Sequence, residues 1–150
     1  MKHQQEHTDH EMMKIEVNLD DIPGEWLGYV MELLLEEGAN DVFYIPIYMK
    51  KNRPGTQLQV LCSKDRLKQV TAVIFKETTT LGLRYYPLSV HRLGRNFVQI
   101  ETPWGTVPVK QGIMNGEVIQ QAPEYEVCKE LAIKHDIPLK IIFQEVWKQL

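Results

Sequence analysis

The sequence predicts an α+β fold: a ferredoxin-like βαββαβ sandwich, then a small antiparallel β-hairpin with a two-helix subdomain. Three observations predict it. Ile15, Val17 and Leu19 alternate with polar residues, the period of a half-buried strand. Leu27, Val30, Met31, Leu34 and Leu35 then recur at helical spacing. The order strand, helix, strand, strand, helix, strand follows from here to Leu93, which is the split βαβ arrangement.

Taken in order, residues 1–13 (MKHQQEHTDHEMM) are polar and aperiodic and read as a disordered leader or linker remnant. His3, His7 and His10 would share a face if helical and could then hold a soft divalent metal; a solvated tail is the plainer reading. The first strand ends at Asp20-Asp21. Either carboxylate could cap the following helix, with Pro23 in its first turn and Gly38 at its C′ position. One carboxylate suffices for a cap, which leaves the second for a cation or metal. Val42 to Met49 is the second strand, and Pro46 within it suggests an edge or bulge. Lys50-Lys51-Asn52-Arg53-Pro54-Gly55 reads as a basic turn. Thr56 to Cys62 is the third strand, antiparallel to the second. Ser63 or Asp65 caps a second helix with an apolar stripe of Leu67, Val70, Val73 and Ile74, ending near Glu77. Thr78 to Gly82 leads into an extended segment from Leu83 to Leu93.

Gly94 marks a boundary, giving a ferredoxin-like domain over 14–93 and a smaller subdomain over 94–150. In the latter, Phe97 to Glu101 and Val107 to Lys110 form a hairpin around Pro103-Trp104-Gly105. Gly112 and Asn115-Gly116 signal a further turn before a short strand at Val118-Ile119. Pro123 opens one helix and Pro138 the last, whose Leu139, Ile142, Phe143, Val146 and Trp147 form a wide apolar face for its own core or an oligomer contact.

Composition narrows the function classes. The chain has 150 residues and a formal charge of −3, with a pI near 6.0. General nucleic-acid binders are basic, so that class is disfavoured. No apolar run approaches the ~20 residues of a membrane helix, and the start lacks a signal-peptide core, so the protein is read as cytoplasmic with no membrane association. Cys62 and Cys128 stand alone, without a CxxC, and read as buried inert thiols.

Three clusters can carry chemistry. Lys50, Lys51 and Arg53 put three cations in four residues, and no carboxylate occurs between Asp41 and Asp65. Unpartnered cations in an acidic chain suit an anion such as phosphate, although lysines also blunt a sheet edge. Glu77-Thr78-Thr79-Thr80-Leu81-Gly82-Leu83-Arg84 offers hydroxyls and a glycine to phosphate oxygens or a metal; the alternative is a helix C-terminus stopped by β-branched residues. It is not a P-loop, since GxxxxGK[ST] is absent. Asp20, Asp21 and Glu25, with Glu77, are hard oxygen ligands suited to Mg²⁺ or Mn²⁺. The end of strand one and the turn after strand two can lie at opposite ends of such a sheet. Whether the clusters meet within one subunit or across a boundary between subunits is thus left open. His91 and His135 have no Ser or Cys partner at motif spacing, and neither GxSxG nor HExxH occurs.

Four segments occur in order: Asn18-x-Asp20-Asp21-x-x-Gly24-Glu25-x-Leu27-Gly28, Pro46-Ile47-x-Met49-Lys50-Lys51-Asn52-Arg53-Pro54-Gly55, Glu77-Thr78-Thr79-Thr80-Leu81-Gly82-x-Arg84 and Pro123-Glu124-Tyr125-Glu126. Together they resemble the C-terminal region of the LarC family, the nickel-insertion proteins that complete the nickel-pincer cofactor of lactate racemase. The resemblance covers about residues 14–136. It implies a CTP-dependent cyclometallase that inserts Ni²⁺ into pyridinium-3,5-bisthiocarboxylic acid mononucleotide. CTP with Mn²⁺ or Mg²⁺ is cleaved to CMP and pyrophosphate. Carried over by position, Lys50, Lys51, Arg53, Thr79, Thr80 and Arg84 become nucleotide or phosphate contacts, and Asp20, Asp21 and Glu77 metal or nucleotide ligands. Family members carry a further N-terminal domain, so an N-terminal half is an implied partner and this chain alone is expected to bind metal–CTP but insert nickel poorly. A homo-oligomer is expected. The alternative is a non-catalytic anion- or nucleotide-binding regulatory module that oligomerises; RNA binding on the sheet face, through Tyr44, Tyr48 and Tyr85, is weaker because their spacing does not match an RNA-recognition sheet.

Overall fold

The computed structural model describes residues 5–150. Two compact units result: residues 9–90, and residues 91–150 with the described residues up to Thr8.

The first unit is built on a four-stranded sheet in the order β2-β3-β1-β4, formed by β1 (His7–Leu19), β2 (Asp41–Met49), β3 (Arg53–Ser63) and β4 (Arg84–Arg92). This is the ferredoxin-like order. β1 and β2 both run antiparallel to β3, which lies between them, so β1 and β2 are parallel to each other. Helices α1 (Gly24–Glu36) and α2 (Leu67–Glu77) supply the cover. Alternation decides which strand residues face it. Ile15, Val17 and Leu19 of β1 and Leu58, Val60 and Cys62 of β3 are buried with Val30, Leu34, Val70 and Ile74. Each large side chain among them stabilises the fold by about 1.5–3 kcal/mol through apolar burial. α1 ends as its glycine predicts: Gly38 takes φ 93°, and the Ala39 amide donates to the Leu34 carbonyl at 3.0 Å.

The second unit holds the antiparallel meander β5 (Gly94–Thr102), β6 (Gly105–Met114) and β7 (Glu117–Pro123), then α3 (Tyr125–His135) and α4 (Leu139–Trp147). Val107, Val109, Cys128, Ile142 and Val146 are buried in its own core, with Trp104 and Phe143 packed against them. Asn115 and Gly116 make the β6–β7 turn with φ 51° and 83°. Both cysteines are free and buried, and desolvation pushes both thiols above the ordinary range.

Five expectations need correction. Residues His7–Met13 are strand rather than leader, with Met12 and Met13 buried. A ladder bonds through backbone groups, so a polar sequence such as HTDHE does not prevent pairing. His3 lies outside the described residues. On a strand His7 and His10 point to opposite faces, so they form no helical metal pair; His10 Nδ1 lies 2.8 Å from Ser89 Oγ instead. Ser63 and Asp65 bond each other rather than cap α2, whose N-cap is Arg66. Gly112 sits inside β6 at a register shift, so it marks a bulge and not a turn. Pro123 closes β7 opposite Val109, and α3 starts two residues later behind Glu124. Proline at a strand end forfeits no inner ladder bond.

Candidate functional site

The parallel relation of β1 and β2 has a direct consequence for the three polar clusters. Both strands end at the same edge of the sheet, not at opposite ones. Leu19, the last residue of β1, pairs with Thr56, three positions from Arg53. The β2–β3 turn therefore projects beside Asp20 and Asp21.

That turn is not the Pro-Gly bend the sequence suggests. Pro54 and Gly55 belong to β3, opposite Tyr48 and Ile47. They lie beyond the last residue of β1, where β3 has a partner on one side only, so proline is tolerated. Lys50–Asn52 makes the reversal, with Lys51 at φ 64° and Asn52 at φ 55°. Asparagine tolerates the left-handed region; a lysine there is uncommon. Gly55 is required by close approach: a Cβ would meet the Leu19 carbonyl oxygen and Met49 Sδ, each at 2.8 Å. The glycine thus lets the basic turn lie against the end of β1.

Two contacts join the clusters. Arg53 Nη1 lies 3.5 Å from Asp20 Oδ2, with the side chains 59% and 23% exposed. Thr79 Oγ1 donates to Asp21 Oδ1 at 2.6 Å. Neither aspartate caps α1, whose N-cap is Pro23 and receives no side-chain bond. Both carboxylates are thereby available at the surface. Among the described residues Lys50 and Lys51 have no ion-pair partner, and both are exposed. Asp20 also lines a cleft of about 200 Å³, with Ile22, Gly24, Leu27, Pro54, Gly55 and their strand neighbours.

The remaining residues divide. Thr78 Oγ1 bonds the Ile74 carbonyl at 2.7 Å and Thr80 Oγ1 the Gly82 carbonyl at 2.7 Å, so both hydroxyls close their own backbone, as expected of a helix end. Thr79 alone of the three reaches across to another element. Arg84 Nε donates to Glu16 Oε2 at 2.8 Å and its Nη2 to Asn18 Oδ1 at 3.3 Å. The Arg84 bond, ahead of the opposing desolvation, holds the Glu16 carboxyl below its ordinary range. Tyr86 also donates to Glu16, and Gln57 Nε2 to Asn18, so Arg84 belongs to a polar network between β4, β1 and β3. Glu77 lines a different cleft, with Trp26, Tyr29, Lys76 and Thr78. Among the described residues no three of His, Cys, Asp or Glu are grouped as a metal cage would need. Asp20 and Asp21 instead offer the one or two carboxylates that suffice for Mg²⁺ or Mn²⁺ when phosphates complete the coordination. Trp26 and Tyr29 were not singled out by sequence reasoning. Their signal was present: aromatic residues three apart on α1, outside the apolar stripe.

Known proteins are similar to this chain in sequence and in fold. The model of a family described as nickel insertion protein matches residues 1–143. The pyridinium-3,5-bisthiocarboxylic acid mononucleotide nickel insertion protein of Thermotoga petrophila is 44% identical over 136 residues, which are 91% of this chain and 34% of that protein. Its namesake in Geobacillus kaustophilus is 47% identical over 135 residues, 90% of this chain and 33% of that protein. This chain thus spans about a third of the length of the curated relatives it matches. Among solved structures it resembles LarC2, described as the C-terminal domain of a cyclometallase in synthesis of the NPN cofactor of lactate racemase. That likeness has a TM-score of 0.87 and 42% identity, covering 93% of this chain and 95% of LarC2. A Methanopyrus kandleri protein follows at 27% identity and a TM-score of 0.69. Among the described residues no helix is long and apolar enough to cross a membrane. With the family model matching residues 1–143 and relatives 44% and 47% identical along about nine-tenths of its length, the chain belongs to the nickel insertion protein family.

Proposed function

We propose that this chain is the metal–CTP-binding C-terminal part of an enzyme that inserts Ni²⁺ into pyridinium-3,5-bisthiocarboxylic acid mononucleotide. The observation that carries the reading is the pair of cross-element contacts, Arg53 to Asp20 and Thr79 to Asp21, beside two unpaired lysines. Lys50 and Lys51 supply point charges to the phosphates, and Arg53 a planar fork. An exposed ion pair at 3.5 Å contributes only about 0–1 kcal/mol, so Arg53 can exchange Asp20 for a phosphate at little cost. Asp20, once released, faces the divalent cation that accompanies the nucleotide. Asp21 keeps its orientation through Thr79. Arg84 and Thr80, whose donors are engaged elsewhere, are assigned to shaping the site's surroundings. Bound Mn–CTP or Mg–CTP would supply the driving force, through cleavage to CMP and pyrophosphate.

Tyr48 is 86% exposed and Leu81 is 101% exposed, on the segments that flank these residues. The chain spans about a third of its curated relatives' length, and we assign the N-terminal part of such an enzyme as the partner of this edge, with a second copy of this chain as the alternative. The chain alone is expected to bind Mn–CTP without inserting nickel at a full rate.

Isothermal titration with Mn–CTP tests the reading. Saturable binding is expected, weakened at least about tenfold by Lys50→Ala with Lys51→Ala, while stability stays within about 0.5 kcal/mol. No heat at millimolar Mn–CTP refutes the reading. Unchanged affinity in the double variant returns the turn to guarding the sheet edge.

A further inference from the structure

The cleft between the start of α1 and the end of α2 is lined by none of the residues proposed above to meet the triphosphate. It encloses about 310 Å³ and is lined by Trp26, Tyr29, Lys76, Glu77 and Thr78. Trp26 and Tyr29 lie three residues apart on α1 and so project to the same side of the helix. They are 49% and 54% exposed. Neither serves the core, to which α1 contributes Leu27, Val30, Met31 and Leu34. Two large rings are therefore held at the mouth of a cleft by a helix whose packing does not require them.

The polar lining indicates what such rings would take. Aromatic faces carry negative potential and attract planar cations. The Glu77 carboxylate, 23% exposed, adds a full negative charge. It lies 3.7 Å from the ammonium of Lys76, which is itself 82% exposed. Pairs of this kind are weak and exchange readily for a ligand. Lys76, once released, is a mobile cation at the rim, suited to a phosphate. The volume sits at the lower end of small-molecule sites, ~300–1,000 Å³, enough for one ring and its sugar with substituents directed to solvent. Thr78 lines this cleft, and the adjacent Thr79 orients Asp21. A ligand here would lie beside the proposed metal–nucleotide position.

We propose that the Trp26–Tyr29–Glu77 cleft is a second ligand site, for a planar, positively charged ring of the pyridinium class carried on a ribose phosphate. The ring lies against Trp26 and Tyr29. Glu77 faces its charged nitrogen, and Lys76 meets the phosphate. The inference rests on the proposed function only in choosing a pyridinium mononucleotide among cationic rings. The nickel-insertion reading left open where on this module the substrate's ring is held, and this cleft is our answer.

The test uses the full chain and three probes: nicotinamide mononucleotide, its reduced form with an uncharged ring, and CMP. Calorimetry and quenching of tryptophan fluorescence should show saturable binding of nicotinamide mononucleotide, at least about tenfold tighter than of either other probe. By calorimetry, Trp26→Ala should weaken it about tenfold or more, Glu77→Gln by a smaller factor, and Trp26→Phe least, because an aromatic face remains. Both Trp26 variants should bind Mn–CTP within about twofold of the parent, since the triphosphate contacts are untouched. Far-UV circular dichroism identifies any variant that fails to fold, and Glu77→Gln, the mildest change, then decides. The proposal is overturned if nicotinamide mononucleotide does not saturate, if CMP or the reduced probe binds equally well, or if Trp26→Ala and Glu77→Gln leave its affinity unchanged. Binding of nicotinamide mononucleotide in a chain that ignores Mn–CTP would support this site while refuting the triphosphate reading.

Discussion

The two units use polar side chains differently. In residues 9–90 they reach between elements distant in sequence: Arg53 to Asp20, Thr79 to Asp21, Arg84 to Glu16 and Gln57 to Asn18. In the second unit His91 with Glu6 at 2.8 Å and Lys110 with Glu124 at 3.9 Å are remote pairs, but its two helices carry local ones. Lys129 pairs with Glu126 at 3.4 Å and Lys148 with Glu145 at 3.0 Å, each one helical turn away. Such i,i+3 pairs support a helix by a few tenths of a kcal/mol and need no tertiary explanation. Cross-element contacts among exposed groups bring little stability either. Their value is positional: in the first unit they gather the basic turn, the acidic pair and Thr79 at one edge of the sheet, which directs the search for a site there.

Four variants sharpen or break this contrast. The largest stability loss is expected from Ile142→Ala, which empties a fully buried position in the second unit's core. It should cost about 2–5 kcal/mol in chemical denaturation yet leave Mn–CTP affinity unchanged under conditions where the protein is folded. A concurrent loss of nucleotide affinity would show that the second unit contributes to binding. Gly55→Ala comes next. Its Cβ would sit 2.8 Å from a backbone oxygen, so the basic turn must shift away from Asp20, at about 1–3 kcal/mol and with weaker nucleotide binding. Affinity unaltered by that shift would detach the turn from the site.

Asp21→Asn keeps the shape and the bond from Thr79 but removes a charge. It should weaken Mn–CTP about tenfold, with a much smaller effect on CTP measured in chelator. An equal effect with and without the divalent ion would reassign Asp21 from metal to nucleotide. The smallest change is expected from Tyr44→Phe. Tyr44 donates to the Leu27 carbonyl at 2.7 Å, and burial pushes its hydroxyl up to about 12 from 10.0. A raised pKa means that the folded state favours the protonated phenol. Its contribution is therefore complete below pH 10.0 and is lost as pH rises through about 12. Tyr44→Phe should cost about 1 kcal/mol at neutral pH and flatten the alkaline limb of the stability profile. An unchanged alkaline limb would place the titrating group elsewhere.

Much of the fold was legible because apolar periodicity is a local signal. The stripe of Leu27, Val30, Met31 and Leu34 and the alternation of Ile15, Val17 and Leu19 located α1 and most of β1, and the order of elements gave the strand topology. The first residues of β1 were not legible, since HTDHE pairs through its backbone. Pro54-Gly55 misled because the same dipeptide serves a turn and the overhang of a strand. Helix capping by Asp20 or Asp21 was a sound local reading that the chain does not use. Among the candidate site residues, the chemistry of Lys50, Lys51, Arg53, Asp20 and Asp21 could be read from their identity. The diversion of Arg84 to Glu16 and of Glu77 to an aromatic cleft could not, because both depend on neighbours remote in sequence.

The sequence by itself thus determined the elements, their order, the core-facing residues and the charges available to a ligand. Periodicity and residue type are properties of short stretches, so no folded coordinates are needed to read them. Only the tertiary structure decided that the basic turn, the acidic pair and Thr79 share one edge of the sheet. The physical reason is direction. β1 and β2 are both antiparallel to the strand between them and so end together, and at that edge Thr79, just after α2, reaches Asp21.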